Sequence, residues 1–141
     1  MERDDLILAA MVPGGGYRYS PVQMQKLLFL IDRQIPTLVG GPYFNFEPYH
    51  YGPFDRNVYN ELDQLAARGL VAIEYSVSPR TFALTAEGAA WGTPALNTLV
   101  PEARDFVIRA SNFVRAHGFS SLVSAIYKAF PEMRENSVFQ G

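Results

Sequence analysis

The side chains best suited to chemistry lie between Glu47 and Phe54, where one histidine stands among aromatic residues. His50 could act as a general base or contact a ligand, because histidine titrates near neutral pH. Alternatively, its imidazole satisfies buried backbone groups. A base would need a nucleophile beside it, and the chain has no cysteine. Glu47, three residues away along a strand, lies on the opposite face. We therefore predict no catalytic residues and no enzyme activity. An enzyme or small-ligand site built from Glu47, Tyr49 and His50 is the last-ranked alternative, and it requires these side chains to converge in one pocket.

Patterns for metals, phosphates or cofactors are also weak. The two histidines, His50 and His117, would have to meet across the fold, and a third ligand is missing. His117 comes at the end of a long predicted helix, where a cation complements the helix dipole. No phosphate-binding motif accompanies the glycines at 14–16. The sequence predicts no metal and no cofactor.

Seven of the nineteen aromatic residues fall between Tyr43 and Tyr59. On a strand, alternation would place Phe44 and Phe46 on the core face and the tyrosines on the other. Such polar-tipped aromatic surfaces occur where proteins dock partners or stack bases. Core packing with ordinary surface is the other interpretation. As a recognition surface, this segment and the following helix offer Tyr49, His50, Tyr51, Gly52, Pro53, Phe54, Arg56, Asn60 and Glu61.

The elements around this segment follow the order of a winged helix. Asp55 is a natural N-cap, and Gly69 offers a left-handed C-terminal stop for the helix between them. Strands at 71–75 and 82–84 then predict a β-hairpin wing. The helix and wing carry side chains that could read DNA: Arg56, Asn57, Asn60, Gln64, Arg68 and Arg80.

Charge argues against DNA as the partner. The chain has a net charge of −2, and residues 55–90 hold three arginines against five carboxylates. Glu61 and Asp63 would lie near phosphates, which repel like charge. DNA binding remains the alternative function, and a homodimer through the C-terminal helices would favour it.

The rest of the chain is predicted to be helical. Asp4 and Asp5 cap a short helix through Met11, and Ser20-Pro21 starts a second helix. That helix, 22–35, is apolar nearly all round, with polar residues towards its ends, and should be the central buried element. Thr85 caps a short helix containing Trp91, followed by a loop at 92–100. Pro101 opens a long helix that Gly118 ends, and Ser120 or Ser121 caps the last one, which Pro131 closes.

Several segments together resemble the Panacea antitoxin domain and related small prokaryotic proteins. They are Met24 to Leu30, Phe46 to Phe54, Val58 to Leu62, Ile126 to Met133, and Asn136-Ser137. The resemblance implies a protein that neutralises or regulates a partner protein, in a toxin–antitoxin or phage-defence setting. Some members of that family resemble antitoxins, and others look like adaptors or regulators.

Bulk properties agree with one α+β domain spanning residues 1–141, with a winged-helix-like part at about 20–90 and a helical part at about 98–131. Hydrophobic residues make up 48% of the chain, enough for a core without disulfides. No apolar run spans a bilayer, and no export signal opens the chain. We therefore expect a cytoplasmic protein that acts by binding another protein, without membrane association.

Overall fold

The computed structural model describes residues 1–140 and has the predicted α+β class. Within these residues there are six α-helices: α1 Arg3–Met11, α2 Pro21–Gln34, α3 Arg56–Ala67, α4 Ala86–Thr98, α5 Pro101–Ala116 and α6 Phe119–Ala129. Two antiparallel hairpins complete the fold: β1 Glu47–Tyr49 with β2 Gly52–Phe54, and β3 Val71–Glu74 with β4 Thr81–Leu84.

Helices α1 and α2 form the centre of the core. Every residue from Leu6 to Met11 is fully buried, because α1 packs along α4 and also contacts α2 and α5. Helix α2 is buried on most of its surface, as its apolar sequence predicts, and it packs against α5, α6 and β2. The polar residues Gln25 and Lys26 are buried with it, although their type predicts a position near the helix surface.

Local sequence signals set most helix starts. The Ser20 hydroxyl accepts a hydrogen bond from the Gln23 backbone N–H, and the Gln23 side-chain oxygen accepts one from the Ser20 backbone N–H. Asp55 and Thr85 cap α3 and α4 through their side chains alone, which accept from the backbone N–H groups of Asn57 and Gly88. Gly69 has φ +77° and follows the end of α3, as predicted.

The second hairpin is joined to the loop before α2. Val71 pairs with Leu84 and Glu74 with Thr81 in β3–β4. The backbone of Tyr19 then donates to and accepts from Phe82, at 2.7 and 2.8 Å. The hairpin therefore has a short third partner from the segment between α1 and α2.

Three local predictions are wrong. The loop predicted at 92–100 is helix as far as Thr98, because Gly92 lets α4 approach α1 closely: a Cβ there would lie 2.8 Å from the Leu8 carbonyl oxygen. Helix α6 starts at Phe119, two residues earlier than a Ser120 cap and three earlier than a Ser121 cap would allow, with Gly118 at its N-cap position.

The third error concerns the aromatic strand. Only residues 47–49 pair as β1, His50 and Tyr51 form the turn, and residues 52–54 return as strand β2. Residues Tyr43 and Phe44 are held instead by the buried Asp32 carboxylate, which accepts their backbone N–H groups at 2.7–3.0 Å. Tyr43 consequently packs against the core beside Phe44 and Phe46, rather than on an opposite face.

No helix among residues 1–140 combines the length and apolar character that crossing a membrane requires.

Candidate functional site

Hairpin β1–β2 is fastened to helix α2 by two consecutive polar side chains. The Gln25 amide accepts from the Asp55 backbone N–H at 3.0 Å and donates to the Asp55 carbonyl at 2.9 Å. The Lys26 ammonium donates to the Pro53 carbonyl at 3.2 Å. These contacts satisfy backbone groups that have no partner within the short hairpin. They hold strand β2 and the start of α3 at one position on α2.

The segment after α6 holds the other side of the same hairpin. The Asn136 side chain donates to the Pro48 carbonyl at 3.2 Å, and the Val138 backbone donates to the His50 carbonyl at 3.0 Å. The Tyr127 hydroxyl donates to Ser137 at 2.7 Å and so connects this segment to α6. Hairpin β1–β2 is therefore held between α2 and the C-terminal segment.

The tip of the hairpin presents a group of aromatic side chains, here called the aromatic rim: Tyr49, His50, Tyr51, Phe54 and Phe119. The His50 ring stacks on Tyr49 at 4.1 Å, and Tyr49 stacks on Phe54 at 5.0 Å. Tyr51 meets Phe119, at the start of α6, edge to face at 5.0 Å. Tyr49, Tyr51 and Phe119 are 48%, 45% and 44% exposed. The rim is an exposed aromatic patch fixed by mutual packing.

The aromatic rim borders a cavity of about 230 Å³. Tyr59 of α3 adds a further aromatic wall, and Pro79 of the β3–β4 turn closes part of the mouth. The start of α2, from Ser20 to Lys26, supplies the remaining side. This volume accommodates about one substituted ring, since cavities of about 150 Å³ bind benzene.

Lys26 is the one lysine or arginine side chain that lines this cavity. It is 3% exposed, and no carboxylate among residues 1–140 forms an ion pair with it. Burial lowers the pKa of Lys26 from 10.5 to about 7, because the charged form loses its hydration. The ammonium is therefore partly deprotonated at neutral pH and donates one hydrogen bond, to Pro53.

Gly52 lets the hairpin approach the end of the Lys26 side chain. A Cβ at Gly52 would lie 3.5 Å from the Lys26 Cε and Nζ atoms and 3.3 Å from the Tyr127 ring. The residue also has φ +102°, a conformation that favours glycine. Gly52 is buried, as is Pro53, so these two residues support the aromatic rim from behind.

The polar residues predicted on α3 divide into two groups. Arg56 and Asn60 are exposed, on the side of α3 opposite the buried Val58 and Leu62. Glu61 is mostly buried and pairs with Arg3 of α1 at 3.3 Å. Arg56 and Asn60 are thus available to a partner, whereas Glu61 joins α3 to α1.

The side chains named for DNA readout are distributed unequally. Asn57, Asn60 and Gln64 lie on the exposed side of α3. Arg68 pairs with Asp4 at 2.7 Å, and Arg80 pairs with Asp63 at 3.1 Å. Two of the three arginines are therefore engaged by carboxylates of the chain itself.

The histidines are both outside the core. The interpretation that the His50 imidazole satisfies buried backbone groups is wrong, because its ring is exposed and makes no hydrogen bond within residues 1–140. Its backbone carbonyl is the group that binds other segments. His117 is the C-cap residue of α5 and shares a hydrogen bond with Ser121.

Sequence reasoning missed Lys26, although a signal was present. Residues three or four positions away on a helix share its face, and for Lys26 three of these four, Val22, Phe29 and Leu30, are apolar, while the fourth is Gln23. A lysine surrounded by apolar neighbours on one helix face is a candidate for burial. Lys26 was grouped with the polar residues near the helix ends, and its burial was therefore not predicted.

The described residues hold no cluster of three or more histidine, aspartate or glutamate side chains that could bind a metal. No protein-family model matches the chain, and no curated protein matches it.

Proposed function

We propose that this chain is a non-catalytic protein-binding module that neutralises or regulates a partner protein, in the manner of Panacea-type antitoxins acting in the cytoplasm. The observation that carries the proposal is the aromatic rim, exposed on a hairpin held on two sides. Exposed aromatic residues on a rigid support are the usual anchors of protein interfaces. Arg56 and Asn60 of α3 supply polar groups beside it.

The segments that carry the family resemblance come together at this surface. Gln25 and Lys26 bind the segment from Pro53 to Asp55, and Asn136-Ser137 binds the segment from Pro48 to His50. Residues far apart in the sequence thus cooperate to hold one hairpin. This arrangement supports a shared purpose for those segments, which is display of the rim.

The experiment removes the two most exposed tyrosines of the rim. Proteins that co-purify with the chain from its native host are identified by mass spectrometry, and the leading candidate is purified. Its affinity is then measured for wild type and for Tyr49→Ala/Tyr51→Ala. Loss of two anchors is expected to weaken binding by about 2–4 kcal/mol, or roughly 30-fold or more.

The matched control is Tyr75→Ala, which removes a tyrosine of the β3–β4 hairpin that is even more exposed, at 69%. Its affinity should equal that of wild type. If the partner is a toxin, co-expression with wild type restores growth and co-expression with the double variant does not. Equal binding by the double variant, with circular dichroism showing an intact fold, would refute this surface.

The alternative is a winged-helix regulator that binds DNA. One observation favours the winged-helix comparison: Tyr19, just before α2, forms an isolated β-bridge with Phe82 of β4 and so adds one paired residue to the wing. The ion pairs of Arg68 and Arg80 weigh against DNA, because both would have to break before the arginines reach phosphates. A mobility-shift series at decreasing salt tests it, since phosphate contacts strengthen steeply at low salt. A shift that persists in Arg56→Ala and Gln64→Ala would speak against α3 as the reader.

A further inference from the structure

We propose that the cavity beside Lys26 binds a small aromatic acid, whose ring lies between the rim side chains and whose carboxylate pairs with the Lys26 ammonium. This activity is separate from partner binding, and it is tested on the purified chain alone. The ligand is a single-ring carboxylate such as an aryl acetate, because a cavity of about 230 Å³ suits one substituted ring.

The aromatic part of the ligand follows from the walls. Tyr49, Phe54, Tyr59 and Phe119 place four aromatic side chains in the wall of the cavity. Aromatic rings pack on one another in stacked or edge-to-face arrangements, and such contacts add to the burial of apolar surface. An aliphatic chain would fill the volume but would not gain this complementarity.

The carboxylate of the ligand is inferred from the Lys26 ammonium, which has no anionic partner among the described residues. Lys26 is almost completely buried, its ammonium has one backbone acceptor, and the ion pairs of residues 1–140 do not include it. A buried charge is ordinarily paired. A carboxylate entering the cavity supplies the missing anion and can accept the ammonium hydrogens that the Pro53 carbonyl leaves free.

The first experiment compares an acid with a neutral analogue of the same shape. Purified protein is titrated with phenylacetate and with phenylacetamide, and binding is followed by two-dimensional amide NMR. We expect phenylacetate to shift signals of the aromatic rim and to bind at least tenfold more tightly than the amide. Equal affinity for both, or no shift with phenylacetate up to about 10 mM, would overturn the proposal.

The second experiment uses the fact that the protein has two lysines, Lys26 on α2 and Lys128 on α6. Lys26→Met keeps the length and apolar stem of the side chain, and Lys128→Met is the matched control at an exposed site away from the cavity. The preference for acid over amide should disappear in Lys26→Met and remain in Lys128→Met. A preference that survives in Lys26→Met would overturn the proposal.

The third readout follows the proton directly. Lysine labelled with ¹³C gives two Cε signals, and binding of the acid should raise the midpoint of the Lys26 titration while leaving Lys128 unchanged. Affinity for phenylacetate should then fall with pH above about 7, by up to tenfold per pH unit. An unmoved Lys26 midpoint on saturation would contradict the ion pair.

Other titratable groups face the same space and must be separated from Lys26. His50, Tyr49, Tyr51 and Tyr59 line the cavity, and Tyr127 of α6 packs on Gly52. If the imidazole of His50 caused the pH dependence, that dependence would persist in Lys26→Met, and this result would count against Lys26.

If Lys26→Met does not fold, Phe119→Ala tests where the ring binds. The affinities for phenylacetate and for phenylacetamide should both fall, and unchanged binding of phenylacetate would contradict the location.

Discussion

Lys26 is a residue whose position reduces the stability of the fold. Moving an ammonium group out of water costs several kcal/mol, and one hydrogen bond to the Pro53 carbonyl offsets only a part of that. An apolar side chain of the same length would fill the space without this cost. A charged group that lowers stability and has no anionic partner among the described residues fits a role in ligand binding better than a role in packing alone.

The cost of burying the Lys26 ammonium makes the free energy of unfolding depend on pH, and the direction of the change follows from the pKa. The pKa of Lys26 is about 7 in the folded chain and 10.5 without burial, so between these values the unfolded chain holds a proton that the folded chain lacks. The free energy of unfolding should therefore rise with pH above about 7, by at most about 1.4 kcal/mol per unit. Below pH 7 both states are protonated and the penalty is fully present.

Lys26→Met removes this dependence. Urea unfolding between about pH 6 and about pH 9 should show the rise for wild type and for Lys128→Met, and a flatter profile for Lys26→Met. At about pH 6 the Lys26→Met variant should be the most stable of the three, by about 1–3 kcal/mol. Parallel pH profiles for wild type and Lys26→Met would show that Lys26 does not carry an unpaired charge.

Among helices and strands, the sequence features that correctly predicted element ends act over a few residues. The caps at Ser20, Asp55 and Thr85 and the left-handed Gly69 act through atoms within a few residues, so the sequence reveals them directly. Helix α4 was predicted too short because Gly92 and Pro94 are ordinarily helix breakers. Its continuation depends on packing against α1, a contact between residues distant in sequence.

The packing role of Gly92 is testable by adding one methyl group. In an isolated helix, Gly→Ala is stabilising by about 1 kcal/mol. At Gly92 the new Cβ would lie 2.8 Å from the Leu8 carbonyl oxygen and from a Val12 methyl group, so α1 and α4 must separate. Gly92→Ala should therefore destabilise the chain by about 1–3 kcal/mol in urea unfolding.

Gly16→Ala is the control for that measurement. No atom lies within 4 Å of a Cβ at Gly16, in the exposed loop before α2. The substitution should leave stability unchanged or raise it by about 0.4–1 kcal/mol, through the unfolded state. If Gly92→Ala behaves like Gly16→Ala, close approach does not explain the length of α4.

For the whole molecule, the candidate site arises from three segments: Gln25-Lys26, the hairpin at 47–54, and the residues from Asn136 to Val138. The sequence indicated the aromatic density of the hairpin and the N-cap at Asp55. It could not indicate the cavity, because its walls come from α2, α3, α6 and both hairpins. Only the tertiary arrangement brings a buried lysine to an aromatic hairpin.

Because the site and core are built from segments distant in sequence, we expect the chain to unfold as one unit. Tyr19 connects the β3–β4 hairpin to helix α5. Its ring is fully buried, its backbone pairs with β4, and its hydroxyl lies 2.7 Å from Ser111 of α5. Trp91 fluorescence reports on α4 and its contact with Asp5 of α1, whereas circular dichroism reports on all helices. Their urea transitions should coincide.

Tyr19→Phe should move both transitions together, by about 1–2 kcal/mol, because it leaves the buried Ser111 hydroxyl without its partner. Ser111→Ala added to Tyr19→Phe should cost less than the two single changes summed, since the pair interacts directly. If circular dichroism instead showed two steps, with Trp91 reporting only one of them, the N-terminal and C-terminal parts would be separate folding units. The expectation of a single domain would then be wrong.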